Sequence, residues 1–347
     1  MIEQRIRFFG DFTTGENYQL KYELENRKNC LRQKGYDFLM EGIKEFFDEK
    51  AYNVINLESP ITNCTKSDLE NKKALLHWMD PDVAPSFLKK YNVGAASLGN
   101  NHIYDWGKEG IIQTVRALES ADIKYFGGGT DVKKAGLPLI KSFQLGDKAV
   151  NLYIFGGYKY KENYEKEFDF YAKENKAGVF QLTPDTIKDD IKRIKEEDPN
   201  SFVVIFPHFG IDFQKTLPMQ KQYARSWIEF GADLVIGHGA HMMQNMEYYK
   251  EKTILYSIGN SVLPVYCRNL GIPYSLIFEL SFTNENNNLK IKQKIYPIYM
   301  DMASYAPVTR PVKESELDDV IKYLCEGNNE IKQKIFVNKG RIICIEL

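Results

Sequence analysis

The sequence predicts an α/β fold, on the strength of two observations. Short, nearly continuous apolar runs, typical of strands buried on both faces, recur along the chain. Segments with apolar residues three and four positions apart, typical of amphipathic helices, lie between these runs. Alternating strands and helices are the pattern of α/β proteins, in which functional groups gather just beyond the carboxyl ends of the strands.

The composition is that of a globular protein. The 347 residues are 43% hydrophobic and 27% charged, which excludes disorder, collagen and coiled coil. With 46 basic and 47 acidic side chains the net charge is −1, so no net field favours a nucleic-acid partner. The sequence starts without a signal-peptide pattern, and no run approaches the roughly 18 apolar residues of a membrane span. We therefore expect a cytoplasmic protein without nucleic-acid partners or membrane spans.

The predicted strands end abruptly at Gly, Asn, Asp, Glu or His. Five of these strands are followed by polar side chains that could form a functional site. They are 6–9 before Asp11, 52–57 before Glu58, 93–98 before Asn100, Asn101 and His102, 202–206 before His208, and 234–236 before His238 and His241. Two further runs, 150–155 and 253–258, end in glycines without a titratable group. The carboxyl ends of these strands should meet at one edge of a sheet.

Helices are predicted over 36–49, 108–120 and 219–230. The last quarter of the chain predicts a hairpin of strands 274–283 and 289–300 around a polar turn at 284–288, then a helix near 314–325 and a strand near 331–346. We treat residues 1–347 as one domain, with the functional segments within 6–264 and 265–347 completing the sheets.

The segment 158–176 combines alternating charges with six aromatic residues. One interpretation is a solvated surface insertion, because alternating charge is typical of exposed chain. The other is a lid over the site, because the segment directly follows a strand end.

Cysteine and histidine are used very differently. The five cysteines are scattered without a C-x-x-C pair, so we interpret them as buried or incidental thiols. Four of the five histidines follow predicted strands, together with two carboxylates. Imidazole and carboxylate ligands together suit Mn, Fe, Zn, Co or Ni. Two such ions about 3.5 to 4 Å apart would form a clamp for in-line attack at phosphorus.

Several motifs occur in an order that resembles a known family. They are Gly10-Asp11, Asn56 to Pro60, Gly99 to His102, Gly127 to Gly129, Pro207 to Gly210, Gly237 to His241 and Tyr256 to Asn260. This order is similar to that of the CapA family, named for poly-γ-glutamate capsule synthesis, within the calcineurin-like metallophosphatase superfamily. The resemblance runs from about residue 6 to about 264 and continues faintly to about 330.

The resemblance implies a metallophosphatase-like sandwich of two mixed β-sheets flanked by helices, holding one or two divalent transition metals (Mn, Fe or Zn). The metal ligands that it implies are Asp11, Glu58, Asn101, His208, His238 and His241. Glu58 stands where the superfamily has its bridging aspartate, and His102 is the implied catalytic residue that protonates the leaving group. Thr13 stands where the superfamily has a histidine, so one metal site should be weaker or prefer a harder ion.

Some residues have open roles at this stage. Asn100 is either a turn residue or a substrate-binding donor to an oxyanion. Asp105 is expected to cap the following helix rather than to act as an outer-shell ligand. His77 is expected to be structural, in a loop that can approach the site. Asn260 is a weak site candidate.

Three functions follow as hypotheses. The first is a metal-dependent hydrolase that acts on a phosphoester, and the second is an amide or acyl hydrolase or transferase acting on a glutamyl polymer or cell-wall intermediate. The third is a non-catalytic metal-binding assembly protein of a capsule system. A small-molecule or polymer substrate and capsule-synthesis partners are the expected partners.

Overall fold

The structure is a computed structural model that describes residues 3–265, 271–285, 288–300, 308–326, 328–338 and 340–345. The helices are α1 (Glu16–Leu24), α2 (Cys30–Lys34), α3 (Ala84–Lys90), α4 (Gly107–Ser120), α5 (Val132–Gly136), α6 (Glu162–Phe168), α7 (Pro184–Glu197), α8 (Pro218–Phe230), α9 (Leu317–Cys325) and α10 (Asn329–Lys334). Short 3-10 helices cover Tyr36–Met40, Lys44–Phe46 and Glu314–Glu316.

The strands are β1 (Glu3–Phe12), β2 (Ala51–Leu57), β3 (Val93–Ser97), β4 (Lys124–Phe126), β5 (Gly128–Gly129), β6 (Leu139–Leu145), β7 (Lys148–Tyr158), β8 (Gly178–Val179), β9 (Phe202–His208), β10 (Leu234–Ile236), β11 (Met246–Tyr249), β12 (Lys252–Leu255), β13 (Asn260–Val262), β14 (Tyr274–Glu285), β15 (Asn288–Met300), β16 (Thr309–Pro311), β17 (Ile335–Asn338) and β18 (Ile342–Ile345).

Two large sheets form the molecule, and both are mixed. In the first sheet the strand order is β17-β18-β15-β14-β1-β2-β3-β4, with β13 also pairing with β1 and β16 with β15. Strands β1 to β4 are parallel, whereas β14 pairs with β1 in antiparallel fashion. In the second sheet the order is β11-β12-β10-β9-β7-β6, with a parallel centre and antiparallel edges. The predicted sandwich of two mixed sheets flanked by helices is confirmed.

The core between the sheets follows from the alternation of side chains along each strand. Phe8 of β1 points toward the second sheet, where its ring centroid lies 5.6 Å from that of Phe206. Its neighbour Phe9 points to the opposite face and stacks on Phe47. Because both faces of β1 are apolar, the strand is buried on both sides.

Helices cover the outer faces of the sandwich. On the second sheet, α7 and α8 pack through Ile191 and Trp227 against the outward-facing Val203 and Val235. Helix α7 begins with Pro184 after a capping box of Thr183 and Thr186. In the described part of the chain, no helix has the length and apolar character needed to cross a membrane.

Most predicted elements are confirmed, and three are corrected. The helices at 108–120 and 219–230 and the hairpin are present, although residues 286 and 287 of its turn lie outside the described residues. The segment 36–49 forms two short 3-10 helices instead of one long helix, because Gly42 runs against the backbone of β16. A Cβ atom on Gly42 would lie 2.0 Å from the Thr309 carbonyl oxygen.

The second correction concerns the predicted strand at 331–346, whose described residues belong to α10, β17 and β18 rather than to a single strand, with 339 and 346 outside the described residues. Asn328 caps α10 by accepting hydrogen bonds from the backbone of Glu330 and Ile331, which favours a helical start.

The described cysteines Cys30, Cys64, Cys325 and Cys344 are free thiols, and Cys267 lies outside the described residues.

The third correction concerns the segment 158–176. Helix α6 lies within it, and its aromatic residues Tyr164, Phe168 and Phe170 belong to the core. The solvated-insertion interpretation therefore holds for most of its charged residues but not for Lys159, which is buried and donates hydrogen bonds to the carbonyls of Phe209 and Gly210. Tyr158 is the register partner of His208 in the second sheet, with ring centroids 5.6 Å apart, so the segment starts beside a predicted site residue.

Candidate metal centre

The carboxyl ends of strands from both sheets meet at one place. In the first sheet Asp11 lies near the end of β1 and Glu58 directly follows β2. In the second sheet His208 is the last residue of β9, and His238, which follows β10, continues the parallel pairing as its bridge partner. The site therefore lies between the two sheets, and neither sheet alone supplies all of its side chains.

Five of the predicted ligands form two overlapping groups. Asp11, His208 and His238 make up one group, and Asp11, Glu58 and His241 the other, with the ligand atoms of each group within 4.8 Å of one another. Asp11 is shared by both groups. The resemblance implies that Glu58 occupies the bridging position, whereas the geometry gives the shared position to Asp11.

The distances show how closely the side chains approach. Asp11 Oδ1 lies 3.3 Å from His238 Nδ1 and 3.8 Å from His208 Nδ1. Asp11 Oδ2 lies 3.2 Å from His241 Nδ1. Glu58 Oε1 lies 3.7 Å from His208 Nε2, and Glu58 Oε2 lies 3.9 Å from His241 Nδ1.

Several buried polar atoms at the candidate metal centre have no hydrogen-bond partner among the described residues. Within the part of the chain that the structure describes, buried atoms without a hydrogen-bond partner include both carboxylate oxygens of Glu58 and His238 Nε2 in the cluster, and Asn101 Oδ1 in the residue before His102. Buried polar atoms are rarely left unpaired, because each costs about 1 to 3 kcal/mol. The residues present therefore suit a divalent cation, and the mixture of nitrogen and oxygen donors is suited to a transition metal.

The electrostatics of the cluster lead to the same conclusion. Burial raises the pKa of Asp11, but hydrogen bonds from His238 and His241 outweigh burial and hold that pKa well below its usual range. Burial, with the neighbouring Asp11, raises the pKa of Glu58 well above its usual range. Burial lowers the pKa of His208 well below its usual range and so favours the neutral imidazole that binds metals. A bound cation would relieve the repulsion between the two carboxylates.

Two glycines make room for the cluster. Gly239 has a φ of +89°, and a Cβ atom there would lie 2.5 Å from His208 Nε2. Gly10 lies at the bulge where the pairing of β1 with β2 shifts register, and a Cβ atom there would lie 1.8 Å from the Gly259 carbonyl oxygen. Glycine at these positions lets the backbone and the imidazole approach closely.

Beside the cluster, His102 is held by a buried carboxylate. Its Nδ1 lies 2.7 Å from Asp105 Oδ2, and Asp105 also accepts a hydrogen bond from Lys73 Nζ. Lys73 Nζ donates a second hydrogen bond, of 2.9 Å, to the carbonyl of Asn101. The charges of Asp11 and His241 act on the pKa of His102, although burial has the larger effect and lowers it well below its usual range. The expectation that Asp105 caps α4 is wrong, because its carboxylate faces His102 and the cap position is Trp106.

Asn100 makes its hydrogen bonds within the protein. Its Nδ2 donates to Asn56 Oδ1 at 3.1 Å and to the Leu57 carbonyl at 2.8 Å. Its Oδ1 accepts from the backbone of His102 and Ile103. These contacts occupy both donors and the acceptor oxygen, so they favour the turn alternative over the substrate-donor alternative.

Sequence reasoning missed or underrated several residues at the site. Asn56 Nδ2 donates to Asp11 Oδ1 at 2.8 Å, and its polar side chain within an apolar strand was an available signal. Asn260 Oδ1 lies 2.9 Å from His241 Nδ1. Thr13 is fully buried, and its hydroxyl contacts Ser59 Oγ at 2.5 Å. His77 is buried with its ring stacked on that of His102.

A two-sheet sandwich with carboxylates and imidazoles gathered at the strand ends defines an α/β protein with a candidate metal centre. Within that class the chain belongs to the bacterial capsule synthesis protein family PGA_cap, whose family model matches residues 5–264. The matched range includes every predicted metal ligand.

Curated relatives carry names from the same system. The chain is 24% identical over 242 residues to the capsule biosynthesis protein CapA of Bacillus anthracis, covering 68% of this chain and 56% of that protein. It is 27% identical over 239 residues to the PGA biosynthesis protein CapA of Bacillus subtilis, covering 68% and 59%. It is 27% identical over 215 residues to a probable polyglutamine synthesis accessory protein of Mycobacterium tuberculosis, covering 60% and 54%. The matches thus span just over half the length of these relatives.

A solved structure of similar type is the calcineurin-like phosphoesterase YfkN from Bacillus subtilis. The match has a TM-score of 0.43 and 12% sequence identity, and it covers 85% of this chain and 90% of that chain. A similarity of this size does not bear on function.

Proposed function

We propose that the protein is a metal-dependent hydrolase that acts on a phosphoester during the synthesis of a capsule or cell-envelope polymer. The observation that carries the proposal is the pair of ligand groups sharing Asp11, beside a histidine whose Nδ1 faces a buried carboxylate. A purely structural metal site has no need of such a histidine.

The residues that would hold the metal are those of the two groups, together with Asn101. The unpaired Oδ1 of Asn101 and the unpaired oxygens of Glu58 are the donors that the protein itself leaves unsatisfied. When bound, one or two Mn, Fe or Zn ions would polarise a phosphoryl oxygen and activate water.

His102 would transfer the proton to the leaving group. Asp105 accepts the hydrogen bond from Nδ1–H, so Nε2 is the nitrogen left to exchange a proton with a leaving group. Nε2 makes no hydrogen bond to any other residue that the structure describes. Burial raises the pKa of Asp105, and the charge of Lys73 at its other oxygen acts against that rise.

A second candidate is hydrolysis or transfer at an amide or carboxyl group of a glutamyl polymer. The names of the relatives favour it, since they refer to PGA biosynthesis and polyglutamine synthesis. The same residues could serve either reaction, because an activated water also attacks acyl carbon.

A third candidate, a non-catalytic assembly protein, is favoured by Thr13. This residue replaces the histidine of the superfamily motif, and its hydroxyl forms a hydrogen bond with that of Ser59.

We propose a cytoplasmic location and capsule-synthesis partners for whichever of the three functions holds.

The test is metal analysis of the purified protein followed by turnover assays. Phosphomonoester, phosphodiester and γ-glutamyl amide substrates are each tested with Mn, Zn or Fe added, against a His208→Ala, His238→Ala double variant as the control. Phosphoester turnover that needs metal and is lost in the control supports the proposal. Turnover of the glutamyl amide alone favours the second candidate, and metal binding without any turnover favours the third.

A further inference from the structure

The loop between β2 and α3 packs directly on His102. It contributes His77, a buried residue with 2% of its surface exposed. The two imidazole rings lie face to face, with centroids 3.6 Å apart and planes inclined by 3°. Such a contact restricts the tilt of the His102 ring, because any rotation of its plane would collide with the ring below.

Hydrogen bonds on both nitrogens hold the His77 ring in turn. Nδ1 lies 3.1 Å from the carbonyl oxygen of Glu58, which can only accept, so Nδ1 donates its proton there. Nε2 is then the acceptor for the Tyr18 hydroxyl at 3.1 Å. The ring of His77 therefore cannot turn without losing both contacts.

The backbone of His77 is tied to the same unit. Its amide donates to Asp105 Oδ2 at 2.6 Å, the oxygen that also faces His102 Nδ1. Its carbonyl accepts from Trp106 Nε1 at 2.8 Å. His77 thus contacts the ring of His102 through its side chain. Through its backbone it contacts Asp105, the carboxylate partner of His102, and Trp106 at the start of α4.

We infer that His77 is a positioning residue that sets the ring plane of His102. The hydrogen bond to Asp105 fixes the position of Nδ1 but still allows the ring plane to tilt. The stacked imidazole removes this freedom, so that Nε2 keeps one direction. Through the Glu58 carbonyl, the same residue links the proton-carrying ring to the strand end that supplies a ligand. This role for His102 rests on the proposed function.

The kinetic test compares His77→Ala with His77→Phe. Phenylalanine keeps a flat ring against His102 and loses both hydrogen bonds, whereas alanine removes the stack. We expect His77→Ala to lower kcat by about 10- to 100-fold for a phosphoester with a poor leaving group, with KM and metal content unchanged. His77→Phe should recover most of that loss. With an activated nitrophenyl leaving group, which needs no proton, the loss should largely disappear.

The outcomes separate positioning from a structural role. A loss of equal size for both leaving groups, or the same loss when His102→Asn is already present, would overturn the inference. Failure of His77→Phe to recover activity, with the folded protein intact by circular dichroism, would also count against it.

A second readout does not depend on catalysis. The chain has five histidines, so ¹⁵N-histidine spectra can be assigned with single substitutions. We expect narrow ring ¹⁵N signals for His102 in the unmutated protein and in His77→Phe, and signals broadened by ring motion in His77→Ala, with the Nδ1–H tautomer kept by Asp105 in all three. If His77→Ala leaves the His102 spectrum unchanged, the positioning role is wrong even if phosphoester turnover is found. If the spectrum changes while no substrate turns over, the proposed function fails and the positioning role stands.

Discussion

Asp11 has the greatest influence of any residue at the candidate metal centre, because it belongs to both ligand groups. Its carboxylate is fully buried and lies within 3.3 Å of both His238 and His241. Removing it would take an oxygen donor from both groups at once, whereas removing Glu58 would affect one.

Variants should distinguish the residues that bind the metal from the residue that supplies the proton. We expect His208→Ala and His238→Ala to lower the metal content of the purified protein, because each removes a nitrogen donor. His102→Asn should leave metal content nearly intact and reduce turnover by about 10² to 10⁴ for a poor leaving group. Elemental analysis and steady-state kinetics check both. Loss of metal in His102→Asn would make that residue a ligand instead.

Glu16, a residue outside the site, should contribute to the pH dependence of the free energy of unfolding. Burial raises the pKa of Glu16 from its ordinary value of 4.5 to about 7, despite a hydrogen bond from Thr14. The folded protein therefore binds this proton more tightly than the unfolded chain, and the stabilisation is full below pH 4.5 and is lost as the pH rises through about 7. The contribution is up to about 3 kcal/mol.

Glu16→Gln should remove the contribution of this residue to the pH dependence. Denaturant unfolding at pH 5 and pH 8 should show a smaller fall in stability for Glu16→Gln than for the unmutated protein. Glu45→Gln, at an exposed carboxylate, is the control and should leave the fall unchanged. An identical fall in all three proteins would show that Glu16 does not carry the effect.

The turn after β10 should be sensitive to a single added methyl group. In Gly239→Ala the new Cβ atom would meet His208 Nε2, so we expect metal affinity to fall by about 10-fold or more. Gly35→Ala is the matched control, since Gly35 also has a positive φ, of +75°, but its Cβ would meet nothing within 4 Å. Both variants should lose roughly 1 kcal/mol of stability, and only Gly239→Ala should lose metal. Metal titration that gives equal affinities for both would contradict this account.

The sequence predicts the strand ends well, because strands buried on both faces leave a continuous apolar signal that stops where the chain turns. It fails at 36–49, where the apolar spacing suggests a helix but Gly42 must pass close to Thr309, a contact that no local pattern reveals. The stack of His77 on His102 was missed for a related reason. It depends on the path of a whole loop, and neither residue signals the other in the sequence.

The whole molecule, rather than the metal, should provide most of the stability. Three large core clusters surround the sheets, while the candidate centre contributes a few buried polar side chains. We expect chelation to lower the melting temperature by about 5 to 10 °C and to leave a cooperatively folded protein. Circular dichroism and calorimetry of the apo and metal-loaded forms check this. Complete unfolding on chelation would favour the assembly protein over the enzyme.

The place of β1 in the first sheet has a consequence for biosynthesis. This strand is translated well before β13 and β14, with which it pairs. His238 and His241 also emerge late, so a nascent chain that carries only Asp11 and Glu58 holds an incomplete ligand set. Such long-range pairing delays folding. The complete set of candidate ligands therefore exists only after the chain has been translated through His241.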